Sequence, residues 1–197
     1  MLGGRTSCAR GVNIMTKIKS ITSFEELELF PLDGYESHFS YFLEQSETEN
    51  SIVFKLTKTK REKAYIKKWD QWIEDKERLI GIIKQNNSFF LEFKNEIIGV
   101  AITQKYEWNN TLNIEMIEIK NEFRKMGFGT IIMKEIESIA KNNEVRAITL
   151  ETQTANGIAI EFYKKNGYNI EGIDISLYSN EDIKKEEIAL IMKKRFV

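Results

Sequence analysis

Arg124, Gly127 and Gly129 fall in the spacing RxxGxG within FRKMGFGT, directly ahead of the amphipathic run IIMKEIESIAKN. That arrangement suits an anion. The first N–H groups of a helix lack internal partners and lie at the positive end of its macrodipole. Glycines let a phosphate approach the backbone with no Cβ in the way, and Arg124 and Lys125 add positive charge. A plain strand-to-helix turn is the alternative reading of the same residues. Spacing excludes two familiar phosphate loops. A dinucleotide fingerprint requires glycine where Ile132 stands, and a Walker loop requires Gly-Lys-Ser/Thr where the chain has Gly129-Thr130-Ile131. A phosphate held here therefore belongs to a different ligand class.

The loop needs a strand before it and a helix after it, and the surrounding sequence supplies both. TLNIEMIEI (111–119) alternates apolar residues at Leu112, Ile114 and Met116 and reads as a strand; 130–142 reads as a helix. Upstream, SFFLEFK and IIGVAITQKYEW form a hairpin turning at Lys94-Asn95-Glu96, and Asn109-Asn110 marks the next turn. Downstream, Ala147–Thr152 is a strand and Gly157–Lys165 a helix closed by Asn166-Gly167, with Gly167 placed for the left-handed residue after the cap. Tyr168–Leu177 and Glu187–Met192 read as two further strands. Nearer the amino terminus, Ser23 and Glu26 have capping-box spacing for a helix stopped by Pro31 and Asp33-Gly34. SIVFKLT (51–57) reads as a strand. KREKAYIKKWDQWIEDKERLIGIIKQ reads as helical, with Ile66, Trp69, Ile73, Leu79 and Ile80 as buried candidates and its charge runs as solvated faces. The order predicts a mixed α/β sheet with helices on its faces.

Composition narrows the function classes. The 197 residues suit one domain with a short extension, and a net charge of −1 gives no bias toward nucleic acid or membrane. No apolar run approaches the roughly 20 residues that span a bilayer. One cysteine, Cys8, and one histidine, His38, leave no internal disulfide, no cysteine zinc site and little room for metal or thiol catalysis. His38 reads as a surface or partly buried residue rather than a catalyst. Residues 1–14 differ in composition from the rest. They read as a disordered leader, an expression scar or a start assigned too far upstream, leaving 15–197 as a single domain.

The second motif is LETQTANGIAIEFYKKNGY, from Leu150 to Tyr168. Arg124-x-x-Gly127-x-Gly129 followed by Asn156-x-x-Ala159-x-x-Phe162-Tyr163-x-x-x-Gly167-Tyr168 resembles the acyl-CoA-dependent N-acetyltransferases of the GNAT superfamily, firmly over about residues 88–194. The resemblance implies a mixed, mostly antiparallel sheet of six to seven strands with helices on both faces. It implies acetyl-CoA as co-substrate, with no metal. The backbones of Ile117, Glu118 and Ile119 match the strand that pairs with the pantetheine arm. The amides of Lys125, Met126, Gly127, Phe128, Gly129 and Thr130, with Arg124, match the pyrophosphate cradle. Asn156 matches a cofactor-contacting amide; a simple N-cap of the 157–165 helix is the alternative reading, and the two roles are compatible. Tyr163 matches a tyrosine near the thioester sulfur, and Phe162 reads as core.

Acetylation requires a neutral amine. At a pKa near 10.4, only about one molecule in 2,500 is neutral at pH 7, a deficit of about 4.6 kcal/mol that a positioned base offsets in part. Glu151 and Glu115 are the candidate bases, Glu151 preferred. A solvated or structurally paired glutamate is the alternative at each. Within the superfamily, Leu150-Glu151-Thr152-Gln153 and Asp174-x-x-x-Tyr178-x-Asn180 resemble streptothricin acetyltransferases, which implies a small cationic amine acceptor. Asp174, Tyr178 and Glu115 then line an acidic acceptor pocket. The amino-terminal half, which shapes the acceptor site in such enzymes, carries no clear likeness. A polyamine, a protein amino terminus and a non-catalytic acyl-CoA sensor therefore remain open. The expected setting is cytoplasmic, as monomer or homodimer, without nucleic-acid or membrane partners.

Overall fold

The computed structural model describes residues 7–9, 12–69 and 76–196. In chain order the elements are β1 (Ser7–Ala9), β2 (Val12–Ile14), β3 (Thr16–Ser20), α1 (Phe24–Glu28), β4 (Tyr35–Thr48), β5 (Ser51–Lys67), α2 (Lys76–Ile83), β6 (Phe89–Phe93), β7 (Glu96–Tyr106), β8 (Thr111–Ile119), a 3-10 turn (Asn121–Phe123), α3 (Phe128–Asn142), β9 (Ala147–Gln153), α4 (Gly157–Lys165), β10 (Asn169–Asp174), α5 (Asp182–Lys185) and β11 (Ala189–Arg195). The main sheet has seven strands in the order β10-β11-β9-β8-β7-β6-β3. The pairs β3–β6, β6–β7, β7–β8 and β10–β11 are antiparallel; the β6–β7 hairpin was expected, whereas β3 was not.

The chain divides into two compact units. The first takes its described residues from Met1–Asp33, Trp69–Thr149 and Arg195–Val197; the second is Gly34–Lys68 with Leu150–Lys194. In the first unit the expected cap forms: the Ser23 hydroxyl accepts the Glu26 N–H at 3.4 Å. The Glu26 carboxylate reaches back to the Thr22 N–H at 3.0 Å, which draws its pKa down to about 2. The apolar faces of α1 and α2 then meet β6 and β7 in one core of Ile21, Phe24, Leu27, Phe30, Leu79, Ile82, Ile83, Phe90, Val100 and Ile102. Each fully buried aliphatic or aromatic side chain there contributes about 1.5–3 kcal/mol. The expected hairpin turn forms at Lys94 and Asn95, both at positive φ, and the next at Asn110. Ser7–Ala9 pairs antiparallel with Val12–Ile14, and the other residues of 1–14 lie outside the described residues.

The second unit corrects one sequence expectation. Residues 60–67 are not helical: β5 runs unbroken from Ser51 to Lys67 and pairs with β4, turning so that Thr48 faces Ser51. Ile66 is exposed and Trp69 is 37% exposed, so neither is a core residue; Ile73 lies outside the described residues. The physical reason is long-range. Arg61 pairs with Glu186, and Tyr65 and Lys67 both reach Glu187. A spacing of two residues places Tyr65 and Lys67 on one face of the strand, while Arg61 lies where the β4–β5 register shifts. Their charges are not a solvated helix face; they meet carboxylates more than a hundred residues away. β4 itself, with Tyr41 and Leu43 buried and alternating, was not expected either. α4 presses on β4 closely enough that a Cβ at Gly157 would meet the Phe39 carbonyl oxygen at 2.4 Å.

Candidate active site

The loop between β8 and α3 is the first part of the site. α3 starts at Phe128, two residues earlier than its sequence pattern indicates, and Gly127 is its N-cap at φ +92°. A Cβ at Gly127 would touch nothing within 4 Å, so glycine is required by the left-handed backbone rather than by space. Thr130 and Ile131 both turn their N–H groups back to the Gly127 carbonyl, at 3.1 and 3.4 Å. The Thr130 amide is thus used internally. Those of Lys125 through Gly129 have no backbone acceptor among the described residues, and these are the donors an anion would take. Phe128 is buried against Phe93 and Phe123, which anchors the helix start; Met126 is exposed.

Arg124 is not a loose cation beside this loop. Its Nε donates to the Ile119 carbonyl at 2.8 Å and its Nη2 pairs with the Glu118 carboxylate. Glu118, placed by the sequence only for its backbone, is just 7% exposed. Burial raises its pKa to about 7, against the opposing pull of Arg124; the charge of Asp33 raises it further. Ile117, Glu118 and Ile119 are in register with Ala101, Val100 and Gly99 of β7.

Glu115 sits where the β7–β8 register slips: Ile114 faces Thr103 and Met116 faces Ile102, so Glu115 is the extra residue of a bulge. This explains why strand alternation left its face ambiguous. Its two carboxylate oxygens accept from Arg78 Nη1 at 2.6 Å, Asn113 Nδ2 at 2.6 Å and Tyr106 Oη at 3.1 Å.

The second unit holds the remaining candidates. The Asn156 side chain accepts the Ala159 N–H at 3.1 Å, so its N-cap role is realised. Tyr163 is half-buried and tilted against Phe162 and Tyr168. Tyr168 is the core aromatic of the trio, at 1% exposure, whereas Phe162 is only half-buried. Glu151 and Tyr178 come together: the Tyr178 hydroxyl donates to the Glu151 carboxylate. Glu151 keeps solvent contact, yet protein crowds its carboxyl and the lost hydration raises its pKa; Tyr178 and Lys67 pull the other way. Asp174 is not drawn into this pair. It is exposed and caps its own turn, accepting the Ser176 N–H at 3.0 Å.

Sequence reasoning missed the aromatic residues around Glu151. Tyr35 donates to the Gln153 side chain at 3.0 Å and stacks on Tyr65 with ring centroids 5.9 Å apart. Tyr65 in turn donates to Glu187, and Lys67 lies 3.3 Å from the same carboxylate. Burial is the main cause of the raised pKa values of Tyr35, Tyr65 and Tyr178, which keeps all three as neutral donors. Buried Asp182 accepts the Tyr178 N–H at 2.8 Å and the Ser179 hydroxyl at 2.7 Å, fixing the loop that carries Tyr178. The available signal was the Ser179-x-x-Asp182 spacing and the paired Tyr65/Lys67 on one strand face. His38 is exposed, 3.3 Å from Glu36. Among the described residues no three His, Cys, Asp or Glu side chains gather as a metal site, and no helix is long and apolar enough to cross a membrane.

Comparison with known proteins extends the picture. The model of the acetyltransferase (GNAT) family matches residues 35–168. The chain is 31% identical over 130 residues to streptothricin acetyltransferase A of Bacillus subtilis (strain 168), covering 65% of this chain and 72% of that one. It is 30% identical over 83 residues to streptothricin acetyltransferase of Streptomyces lavendulae, covering 42% and 44%. Two crystal structures share the fold. One is nourseothricin acetyltransferase, at TM-score 0.72, 20% identity and coverage of 91% and 98%. The other, from Bacillus anthracis str. Ames, is described as a streptothricin acetyltransferase and was solved with acetyl coenzyme A; its TM-score is 0.71 at 23% identity, with coverage of 92% and 99%.

Proposed function

The chain belongs to the acetyltransferase (GNAT) family, and from that premise we propose that it transfers the acetyl group of acetyl-CoA to a primary amine of a small cationic acceptor of the streptothricin type. The observation that carries this reading is the Glu151–Tyr178 hydrogen bond. Those two residues come from the two sequence stretches that resemble streptothricin acetyltransferases, and the fold of the second unit joins them around a carboxylate of raised pKa. The identity to streptothricin acetyltransferase A supports the same acceptor class. On this reading the enzyme confers resistance to such an antibiotic.

The residues divide the work as follows. The amides of Lys125 through Gly129 receive the pyrophosphate at the N-terminus of α3. Backbone groups of Ile117–Ile119 align the pantetheine arm and offer an N–H to negative charge developing on the thioester oxygen. Asn156 supplies a further cofactor contact. Bound acetyl-CoA supplies the activated acetyl group. Glu151, directly or through a water, takes the proton from the acceptor's ammonium and so offsets part of the deprotonation deficit of about 4.6 kcal/mol. As the new C–N bond forms and the C–S bond breaks, the nitrogen gives its second proton to solvent, and the Tyr163 hydroxyl gives a proton to the departing thiolate and is reprotonated from solvent. A thiol of pKa about 8.5 is a tolerable leaving group, so this donation assists rather than decides. Tyr178, Tyr35 and Tyr65 present aromatic faces suited to an ammonium, and Glu151 supplies the anionic charge.

A thiol-release assay with acetyl-CoA and a panel of amines tests this reading. The expected result is rapid release with a streptothricin, slower release with polyamines and amino-terminal peptides, and a product heavier by one acetyl group. Release with a peptide alone would move the acceptor class to protein amino termini. Binding of acetyl-CoA without release for any amine would mark a sensor.

A further inference from the structure

Glu118 is a buried carboxylate on the strand that leads into the phosphate loop, and its neutralising partner is a residue of that loop. Arg124 spans two jobs, pairing with Glu118 through Nη2 and holding the Ile119 carbonyl at 2.8 Å through Nε. The charged groups that face Glu118 are Arg124 from the loop and Asp33 from the segment after α1. Asp33 is itself fixed, accepting the Asn121 N–H at 2.9 Å. Across the ladder stands apolar, fully buried Val100. Lys120, two residues along, is turned onto Glu96 at 2.7 Å.

We infer that Glu118 is the resident counter-ion of Arg124 and takes up a proton from solvent when the anionic phosphates of acetyl-CoA enter the loop. The inference rests on reading that loop as the cofactor's phosphate cradle. Before binding, Arg124 and the Asp33 backbone N–H favour an ionised Glu118, while burial and the Asp33 charge oppose it. Phosphates seated at the Lys125–Gly129 amides share the charge of Arg124 and add negative charge of their own. In a partly desolvated site both effects disfavour the carboxylate. Its free pKa of about 7 places the consequence in the neutral range. The sign follows from linkage. The complex holds the proton more tightly than the free protein, so lower pH favours the complex. The cofactor Kd therefore rises as pH climbs through about 7, roughly tenfold for each unit by which binding raises the pKa. Arg124 is a positioning residue in this scheme, since it fixes the strand end and the loop together.

The test is isothermal titration of the intact protein with acetyl-CoA at neutral pH, in phosphate and in Tris, whose ionisation enthalpies differ. The dependence of the heat on buffer counts protons. Wild type is expected to take up about half a proton more per cofactor than Glu118→Gln, which keeps an acceptor toward Arg124 but cannot titrate. The cofactor's own phosphates contribute equally to both proteins and cancel. Equal uptake in the two, or none in wild type, overturns the coupling while leaving the cradle intact. No binding at all overturns the cradle and the coupling with it. Should Glu118→Gln fail to fold, Asp33→Asn provides the second reading. Removing the Asp33 charge lowers the Glu118 pKa, so the pH of greatest uptake must move down; an unmoved maximum overturns the inference.

Discussion

Glu115 and Glu151 both lie on strands of the main sheet, and their surroundings differ. Glu115, in the first unit, stands at a bulge with its carboxylate bonded to a guanidinium, an amide and a phenol. Three of its roughly four acceptor sites are thus already taken, which leaves little capacity for a substrate proton. Glu151, in the second unit, has one tyrosine donor and a pKa raised by lost hydration. A carboxylate moved toward neutral pH, with acceptor capacity to spare, is the better general base. The difference teaches that residue type and strand position nominate a base, whereas the donors already in place decide whether it is available.

The comparison breaks most visibly at Glu151. Glu151→Gln is expected to lower kcat/KM by about 10²–10⁴-fold at pH 7 while leaving the acetyl-CoA Kd unchanged, measured by steady-state thiol release and calorimetry. Gly127→Val probes the first unit's loop. A β-branched residue at φ +92° costs about 1–3 kcal/mol, so the acetyl-CoA Kd should rise about tenfold or more in a folded protein. Glu115→Gln should act mainly on stability. It weakens a bond to Arg78, whose side chain is half exposed, and about 1 kcal/mol should be lost in urea denaturation with kcat nearly intact. Tyr178→Phe should have the smallest effect. Tyr178 lowers the Glu151 pKa by donating to it, so without that bond the acid limb of kcat/KM moves to higher pH, with little change on the plateau.

Where the determinants are local, the sequence could be read. RxxGxG placed the loop, Asn156 and Gly167 bounded α4, and Ser23 with Glu26 capped α1, because each depends on residues within a turn of one another. Gly167 takes φ +87°, as its place after the cap requires. Residues 60–67 were misread because their partners, Glu186 and Glu187, are far away in sequence and outweigh local helix spacing. The same distance hid the Tyr35–Gln153 and Tyr65–Glu187 contacts. The buried side chain of Glu118 was missed for another reason. A glutamate in an alternating strand reads as solvated unless the arginine six residues later is recognised as its partner.

The most direct test of the account is the pH dependence of kcat/KM for amine acetylation in wild type and Glu151→Gln, measured side by side with a streptothricin as acceptor. With Glu151 as base, the wild-type rate rises with pH and levels off once that carboxyl is ionised. The variant keeps climbing tenfold per pH unit toward the pKa of the amine itself, closing the gap as free amine becomes abundant. Parallel profiles, with the variant lower by a constant factor or not at all, would contradict the role assigned to Glu151.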